Sequence, residues 1–546
     1  MTTTPSMFHF SLPLITTYNP NYLFITKTVF YIMKKLLISL QFILLFFHCH
    51  GLRMPWDQRA FEALFHGEPS QKISTRPQIV ITNPPSQQEQ AETLYSTATQ
   101  LHSFRLKSIY HHASDNGPIP GLFRKLDISQ EREQEIRTTS FDSDDSGSQQ
   151  STFEIRSKMG DTYRPAYPDA LYQLYKYDAI NTQRHQFMML SSASSQEGAT
   201  IDFEWAPGSL PDVQHRESVL SLAMMTNNAY NPANNDTDWY DIGAPWNLNS
   251  SFGWEDDGIR GHVFSNDDGS ILVISIKGTS AGLWGGGQTG EKDKMNDNTL
   301  FSCCCAYISR AWTPVCDCFQ GNNYVCETSC LQDSITHSGL YYDHALEIYK
   351  QVADEYKNST IWLTGHSLGG AIASLVGQTF LVPTVTYEIP GERLASQRLH
   401  LPYAYNDKVN MPLWSFGHTA DPIFVGVCTG PSSSCWYGGF AMETRCHAGK
   451  ICVWDTVNEK NWRVDVRSHR IHDVIENIIK QPEEVFPLPV CVSENPSCAD
   501  CGLWSYIDAR DPPKETSSSS SSMPTSTSSP ATTQTTGVPE PPNDPW

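Results

Sequence analysis

Two short stretches of the chain have the residue types that turn a serine into a nucleophile. The pattern Gly-x-Ser-x-Gly occurs as Gly365-His366-Ser367-Leu368-Gly369 and again as Gly278-Thr279-Ser280-Ala281-Gly282. A serine hydroxyl attacks a carbonyl only when a neighbouring imidazole takes its proton and an acid holds that imidazole. The chemistry also needs a sharp turn from strand to helix, which exposes the hydroxyl and offers backbone N–H groups to the developing oxyanion.

The flanking elements separate the two copies. Before Ser367, Leu340 to Tyr356 carries apolar residues at helical spacing, and Ile361 to Thr364 reads as a short buried strand. After it, GGAIASLVGQTFLV offers small residues that let a helix lie close to that strand. Ser280 follows an apolar strand, Ile271 to Ile276, which itself follows the turn Asn266-Asp267-Asp268-Gly269. What comes next, GLWGGGQTGEKDK, holds five glycines and predicts no helix. Ser367 is therefore the expected nucleophile, and the Ser280 segment needs another role.

On this scaffold an acid and then a histidine follow the serine. Leu413 to Phe416 predicts the next strand, and GHTADP puts Asp421 on a loop at its carboxyl end, where sites of open α/β sheets lie. Asp407, in YNDKV, is the rival with a less distinct strand before it. Three histidines lie downstream of Asp421: His447, His469 and His472. His447 sits between Cys446 and Cys452 in an expected disulfide loop. His469 and His472 open an amphipathic stretch, SHRIHDVIENII, read as one helix with the two rings on one face. The junction position favours His469 as the base, with His472 packing or facing solvent.

The chain has 546 residues, with 38 Lys+Arg against 59 Asp+Glu and a formal charge of −21. Such a balance opposes nucleic-acid binding, which needs a basic patch. Leu36 to Cys49 is an apolar run after Lys34 and Lys35, about 21 Å long as a helix and so short of a bilayer core of roughly 30 Å. A cleaved signal peptide is one reading; an uncleaved signal anchor over residues 33–50 is favoured, because no small-x-small cleavage site follows. Residues 1–32, before Met33, read as a cytosolic extension or a gene-model artefact. The positive flank stays cytosolic and the remainder is translocated. Of 15 cysteines, Cys49 lies in the anchor, leaving 15 − 1 = 14, an even number that predicts disulfides in an oxidising lumen. Zinc at Cys498 and Cys501 is the alternative, weakened by the lack of a second ligand pair. Sequons at Asn235, Asn249 and Asn358 are candidate glycan sites.

The organisation that follows is an N-terminal region over 51–160 with a soft linker at Phe141 to Thr152, a catalytic domain over 161–485 and a cysteine-containing segment over 486–511. A tail over 512–546 completes it. From Thr516 to Thr536, 16 of 21 residues are Ser or Thr, a composition that predicts disorder. The tail ends without the apolar run of a lipid-anchor exchange signal.

The stretches VISIKGTSAGLWGGG, FSCCCAYIS, LTGHSLGGAIASLVG, FGHTADPIFVGVC and VRSHRIHDVI resemble the class 3 lipases of the α/β-hydrolase fold, and more closely the autophagy-related vacuolar lipases of fungi. NNAYNPANNDTDWYDIG and FGWEDDGIRGHVF are similar to the same family, and the likeness runs from about residue 100 to 505. The resemblance implies an α/β-hydrolase fold with disulfide-rich insertions and a type II single-pass glycoprotein of endosomal multivesicular bodies and the vacuole. It implies hydrolysis of lipid esters, phospholipids and possible phosphoinositides included, and breakdown of autophagic-body membranes. It maps the nucleophile, acid and base onto Ser367, Asp421 and His469. It makes Thr279, with the N–H of Leu368, the oxyanion site, and Ala281 to Thr299 a lid whose apolar face holds Leu283 and Trp284. No cofactor and no metal are expected; membrane lipids are the expected partners. An acyltransferase or peptidase on the same triad is the alternative activity, and a tethered non-enzyme with a dead hydrolase body the alternative class.

Overall fold

The computed structural model describes residues 78–82, 99–114, 120–128, 153–175, 200–230, 258–279, 290–307, 314–321, 324–337, 339–402, 411–429 and 433–507. All lie within the unit Ser70–Trp546. The expected anchor, the linker at 141–152, the Ser/Thr tail, Asn235, Asn249, Asp407, Ser280, Leu283 and Trp284 lie outside the described residues. Among the described residues no helix is long and apolar enough to cross a membrane.

One sheet organises the described chain. Its strands are β1 (Gln78–Thr82), β2 (Gln100–His112), β3 (Phe123–Asp127), β4 (Phe153–Pro165), β5 (Thr200–Pro211), β6 (Ile259–Asn266), β7 (Ile271–Ile276), β9 (Thr360–His366), β10 (Thr384–Tyr387), β11 (Leu413–His418), β12 (Lys450–Trp454) and β13 (Val492–Ser493), while β8 (Val325–Glu327) and β14 (Ser505–Ile507) form a separate pair. The order is β1-β5-β4-β2-β6-β7-β9-β10-β11-β12-β13, with β3 on β2. From β7 to β12 all pairs are parallel. From β7 back through β6, β2, β4 and β5 they are antiparallel.

The parallel half follows from its residues. All six positions of β7, ILVISI, are buried, the continuous apolar run of a strand covered on both faces. The helices that position the site are α1 (Arg216–Asn228), α2 (Gly290–Phe301), α3 (Tyr341–Glu355) and α4 (Ser367–Phe380). All 14 residues of α4, SLGGAIASLVGQTF, are buried, so the helix is apolar all round and lies inside the body. On the same face α3 adds Leu346, Ile348 and Val352 to Ile274, Leu363 and Ile372. The other face is covered by Val219 and Leu222 of α1 and by Val474, Ile475 and Ile478, packed on Val273, Trp362 and Phe416.

The sheet crosses the boundary expected at residue 160. β2 hydrogen-bonds into the sheet beside β6, and β4 spans Phe153–Pro165, so the presumed separate N-terminal region supplies central strands. Its strands pair with partners far along the chain, which local composition does not reveal. The described part of the following segment, 486–507, is likewise stitched down. Seven disulfides use all 14 cysteines beyond Cys49: 303–501, 304–326, 305–316, 318–330, 428–435, 446–498 and 452–491. Cys498 and Cys501 pair with different partners, Cys446 and Cys303, so the zinc alternative loses its ligands.

A buried ion pair fastens the loop before β12. His447 Nδ1 lies 3.1 Å from Glu392 Oε2, with side chains 3% and 0% exposed. Glu392 Oε1 also accepts from Ser374 Oγ at 2.8 Å and from the Ala448 N–H at 3.1 Å. Burial opposes both charges, yet the mutual bond holds the His447 imidazole above its ordinary value and the Glu392 carboxyl below its own. The His447 contribution is therefore present below the unfolded value of about 6.5 and lost as pH rises through its raised folded value. The Glu392 contribution is present above about 4.3 and lost as pH falls through its lowered folded value. Glu392→Gln is expected to cost about 3–5 kcal/mol near pH 6, read by urea unfolding, with the deficit shrinking at alkaline pH. Equal midpoints at pH 6 would refute the pair's contribution.

Candidate active site

The five parallel strands bring their carboxyl ends to one side of the sheet. Ile276 of β7 is in register with Gly365 of β9, and His366 with Tyr387 of β10. Strand β11 ends at His418, opposite Trp454 of β12. Thr279, Ser367, Asp421 and His469 each come shortly after one of these carboxyl ends or the element following it. This is the place where open α/β sheets gather their functional groups.

Ser367 is the first residue of α4 and has φ +55°, left-handed backbone that non-glycine residues seldom adopt. The strained turn holds its side chain toward the site. Two glycines make the turn possible. A Cβ on Gly365 would stand 2.7 Å from Gly369 C, and a Cβ on Gly369 would stand 2.4 Å from Ile276 O. The motif therefore serves close packing of helix against two strands.

His469 ends a 3-10 turn, Val466–His469. Its Nε2 lies 2.9 Å from Ser367 Oγ and its Nδ1 2.7 Å from Asp421 Oδ2. Asp421 is fully buried, and its Oδ1 accepts from the Ile423 N–H at 2.9 Å. Burial opposes its charge, but His469 and other donors hold its carboxyl below the usual value. Acid and base are also tied through the backbone: Asp465 N–H and Ser468 Oγ both donate to Ala420 O at 3.1 Å.

The stretch after His469 is not one helix. Arg470 is extended, with ψ 126°, between the 3-10 turn and a short helix Ile471–Val474 that continues as a π turn over Ile475–Ile479. His469 and His472 therefore lie on different elements and share no helical face, contrary to the periodicity of the segment. The kink is what lets residue 469 point at Ser367. His447 is committed to Glu392, away from the serine.

Two further histidines clamp the base's turn, and local sequence reading assigns neither a role. His366 Nε2 donates to His469 O at 2.7 Å, and His418 Nε2 donates to Ser468 O at 3.1 Å. Since a carbonyl only accepts, each ring carries its hydrogen on Nε2. The Nδ1 atoms then accept, from Tyr230 O–H at 2.7 Å and from Thr456 Oγ1 at 3.2 Å. Burial keeps both rings neutral; it pulls His366 down to about 3. His366 stands inside the motif, so its position carried a signal. Tyr230 carried none.

Thr279 follows β7, and its Oγ1 lies 2.8 Å from Asp297 Oδ2. Burial pushes the Asp297 carboxyl well above its ordinary value. Thr279 Oγ1 is the donor in that contact, which holds the threonine side chain in place beside the end of β7. Leu368, the second residue of α4, is buried with its N–H in the first, unpaired turn. Loss of the Thr279 hydroxyl in Thr279→Val is expected to lower kcat about 10²–10³-fold on a soluble ester; a change under threefold would remove Thr279 from the site.

Asp297 overturns two expectations about its segment. Gly290–Phe301 is a helix, despite the glycines before it, because GEKDKMNDNTLF has acidic residues in its first turn and only one glycine, at its first position. Residues 296–299 are also buried, with Asn296 Oδ1 accepting from Tyr341 N–H and Asn298 Oδ1 from Ala441 N–H. That half of the expected lid is a fixed part of the body. Asn358 is exposed at the end of α3.

A serine on a strained strand–helix turn, with an imidazole and a carboxylate in series and a threonine beside it, defines the serine-hydrolase branch of the α/β-hydrolase fold. Residues 306–386 match the sequence profile described as "Lipase (class 3)". Curated fungal relatives carry the name "Putative lipase ATG15". The one from Vanderwaltozyma polyspora is 46% identical over 350 residues, 61% of this chain and 60% of its own. That from Meyerozyma guilliermondii is 40% identical over 463 residues, 77% of this chain and 81% of its own. That from Saccharomyces cerevisiae is 49% identical over 307 residues, 55% of this chain and 58% of its own. The chain thus belongs to the ATG15 lipase family of fungi, although its match spans only about 60% of the length of two of these three relatives.

Proposed function

We propose that the protein is a serine hydrolase of lipid acyl esters, with Ser367 as nucleophile, His469 as general base and acid, and Asp421 as the acid that orients it. Ser367 Oγ attacks the acyl carbonyl while its proton passes to His469 Nε2, and Asp421 stabilises the imidazolium. The Leu368 N–H and Thr279 bind the oxyanion. As the tetrahedral species collapses, His469 returns the proton to the leaving alcohol oxygen. Water then attacks the acyl-serine by the same route and releases a fatty acid.

The observation that carries this reading is the pair of contacts on His469, 2.7 Å to Asp421 and 2.9 Å to Ser367. The lipase name of the relatives supports lipid as the substrate class. Seven disulfides support folding in an oxidising lumen. We further propose that residues 33–50 tether the chain in the type II orientation, and that it travels by multivesicular bodies to the vacuole. There it would act on phospholipids, phosphoinositides among them, and lyse autophagic bodies, with glycans on Asn235, Asn249 and Asn358.

The test is product analysis. Full-length protein incubated with phosphatidylcholine vesicles is expected to release free fatty acid and lysophospholipid. Vesicles left intact by protein that cleaves a peptide substrate would overturn the lipid reading.

A further inference from the structure

A second carboxyl lies behind Asp421, and the triad does not use it. Glu388 follows directly after β10; its N–H donates to Phe416 O at 2.8 Å, and its φ of +47° is left-handed. Holding a glutamate in that conformation is costly and aims the side chain inward. The residue is fully buried.

Among the described residues no cation offsets a negative charge on it. Oε2 accepts from the His418 N–H at 3.3 Å, and Oε1 lies 3.8 Å from His418 Nε2. Burial holds that ring below its ordinary value, toward the neutral form, and its Nε2 serves Ser468 O. Among the described residues no lysine or arginine makes an ion pair with Glu388. The titratable groups that face it are His418 from β11, Asp421 from the loop beyond and, through Asp421, His469. A buried carboxylate without a cation, beside a second carboxylate, is the arrangement in which one acid keeps its proton.

We propose that Glu388 is a positioning residue whose protonated carboxyl donates to Asp421, so that the two acids share one negative charge and the charge stays on Asp421. The proposal rests on the reading of Ser367, Asp421 and His469 as the triad. With both acids ionised, Glu388 Oε1 is a buried oxygen without a hydrogen-bond partner; with a proton on Glu388, the two carboxyls bond to each other. Burial and the neighbouring Asp421 charge both push the Glu388 carboxyl well above its ordinary value, while Asp421 is held below its own. The bond gives Asp421 a holding contact besides His469 and adds no second negative charge that would make the imidazole more basic.

The experiment compares full-length wild type, Glu388→Gln and Glu388→Ala. Infrared difference spectra at pH 7, wild type minus Glu388→Gln, are expected to show the C=O stretch of a protonated carboxyl. On a soluble ester, Glu388→Ala is expected to lower kcat about 10–100-fold through misplacement of Asp421. Glu388→Gln, neutral and still a donor, is expected to restore most of that loss and to leave the acidic limb of the kcat/KM–pH profile in place. Absence of the infrared band, or an acidic limb shifted down by about one unit in Glu388→Gln, would mean that an ionised glutamate was lost and would overturn the proposal. A wild type without esterase activity would instead defeat the triad reading, while the infrared band would still report the proton on Glu388.

Discussion

Ser367→Ala is expected to lower kcat on a soluble ester by about 10⁶ while the fold and the substrate affinity stay near wild type. The substitution removes one oxygen, at a position 5% exposed whose backbone is already held by the turn. The left-handed φ of +55° tolerates alanine no worse than serine, so the loss is chemical. Without Oγ the imidazole at 2.9 Å has no proton to take. The remaining rate, about 10³–10⁴ over water, comes from the oxyanion donors and binding. Loss of less than a hundredfold in kcat, with circular dichroism unchanged, would show that another group attacks the ester.

His469→Ala is expected to cost as much as Ser367→Ala, and the double variant no more than either, because serine and histidine act as one unit. His472→Ala is the matched control. It sits past the extended Arg470 and is expected to change kcat less than about tenfold. The comparison discriminates because the two histidines are three residues apart in a segment whose apolar spacing reads as one helix. A larger loss in His472→Ala would reverse the assignment of the base.

Local chemistry explains why some of this site is legible in the chain and some is not. The turn around Ser367 needs glycines at 365 and 369, because a Cβ there would strike backbone atoms, so steric necessity writes itself into the motif. Asp421 is legible because a buried strand and a turn point to a carboxyl end of the sheet. The strand Ile271–Ile276 has its expected limits, since a short, mostly apolar, β-branched run is bounded by the turn at 266–269 on one side and Gly278 on the other. His418, Glu388 and Tyr230 are a different case. Each meets the site through strand register or a helix packed from the far face, contacts that no spacing along the chain encodes. The kink at Arg470 is hidden for the same reason: the segment has helical periodicity, and the hydrogen bonds from His366 and His418 to the carbonyls of 469 and 468 accompany the break. Likewise β2 and β4 join the catalytic sheet although a boundary was expected between them and it.

Covalent capture tests the central claim most directly. Full-length protein is treated with a long-chain alkyl fluorophosphonate, digested, and its adducts mapped by mass spectrometry. A single adduct on the peptide that carries Ser367, formed rapidly by wild type and not by His469→Ala, is the predicted result. An adduct on Ser280, or none at all from folded protein, would contradict it.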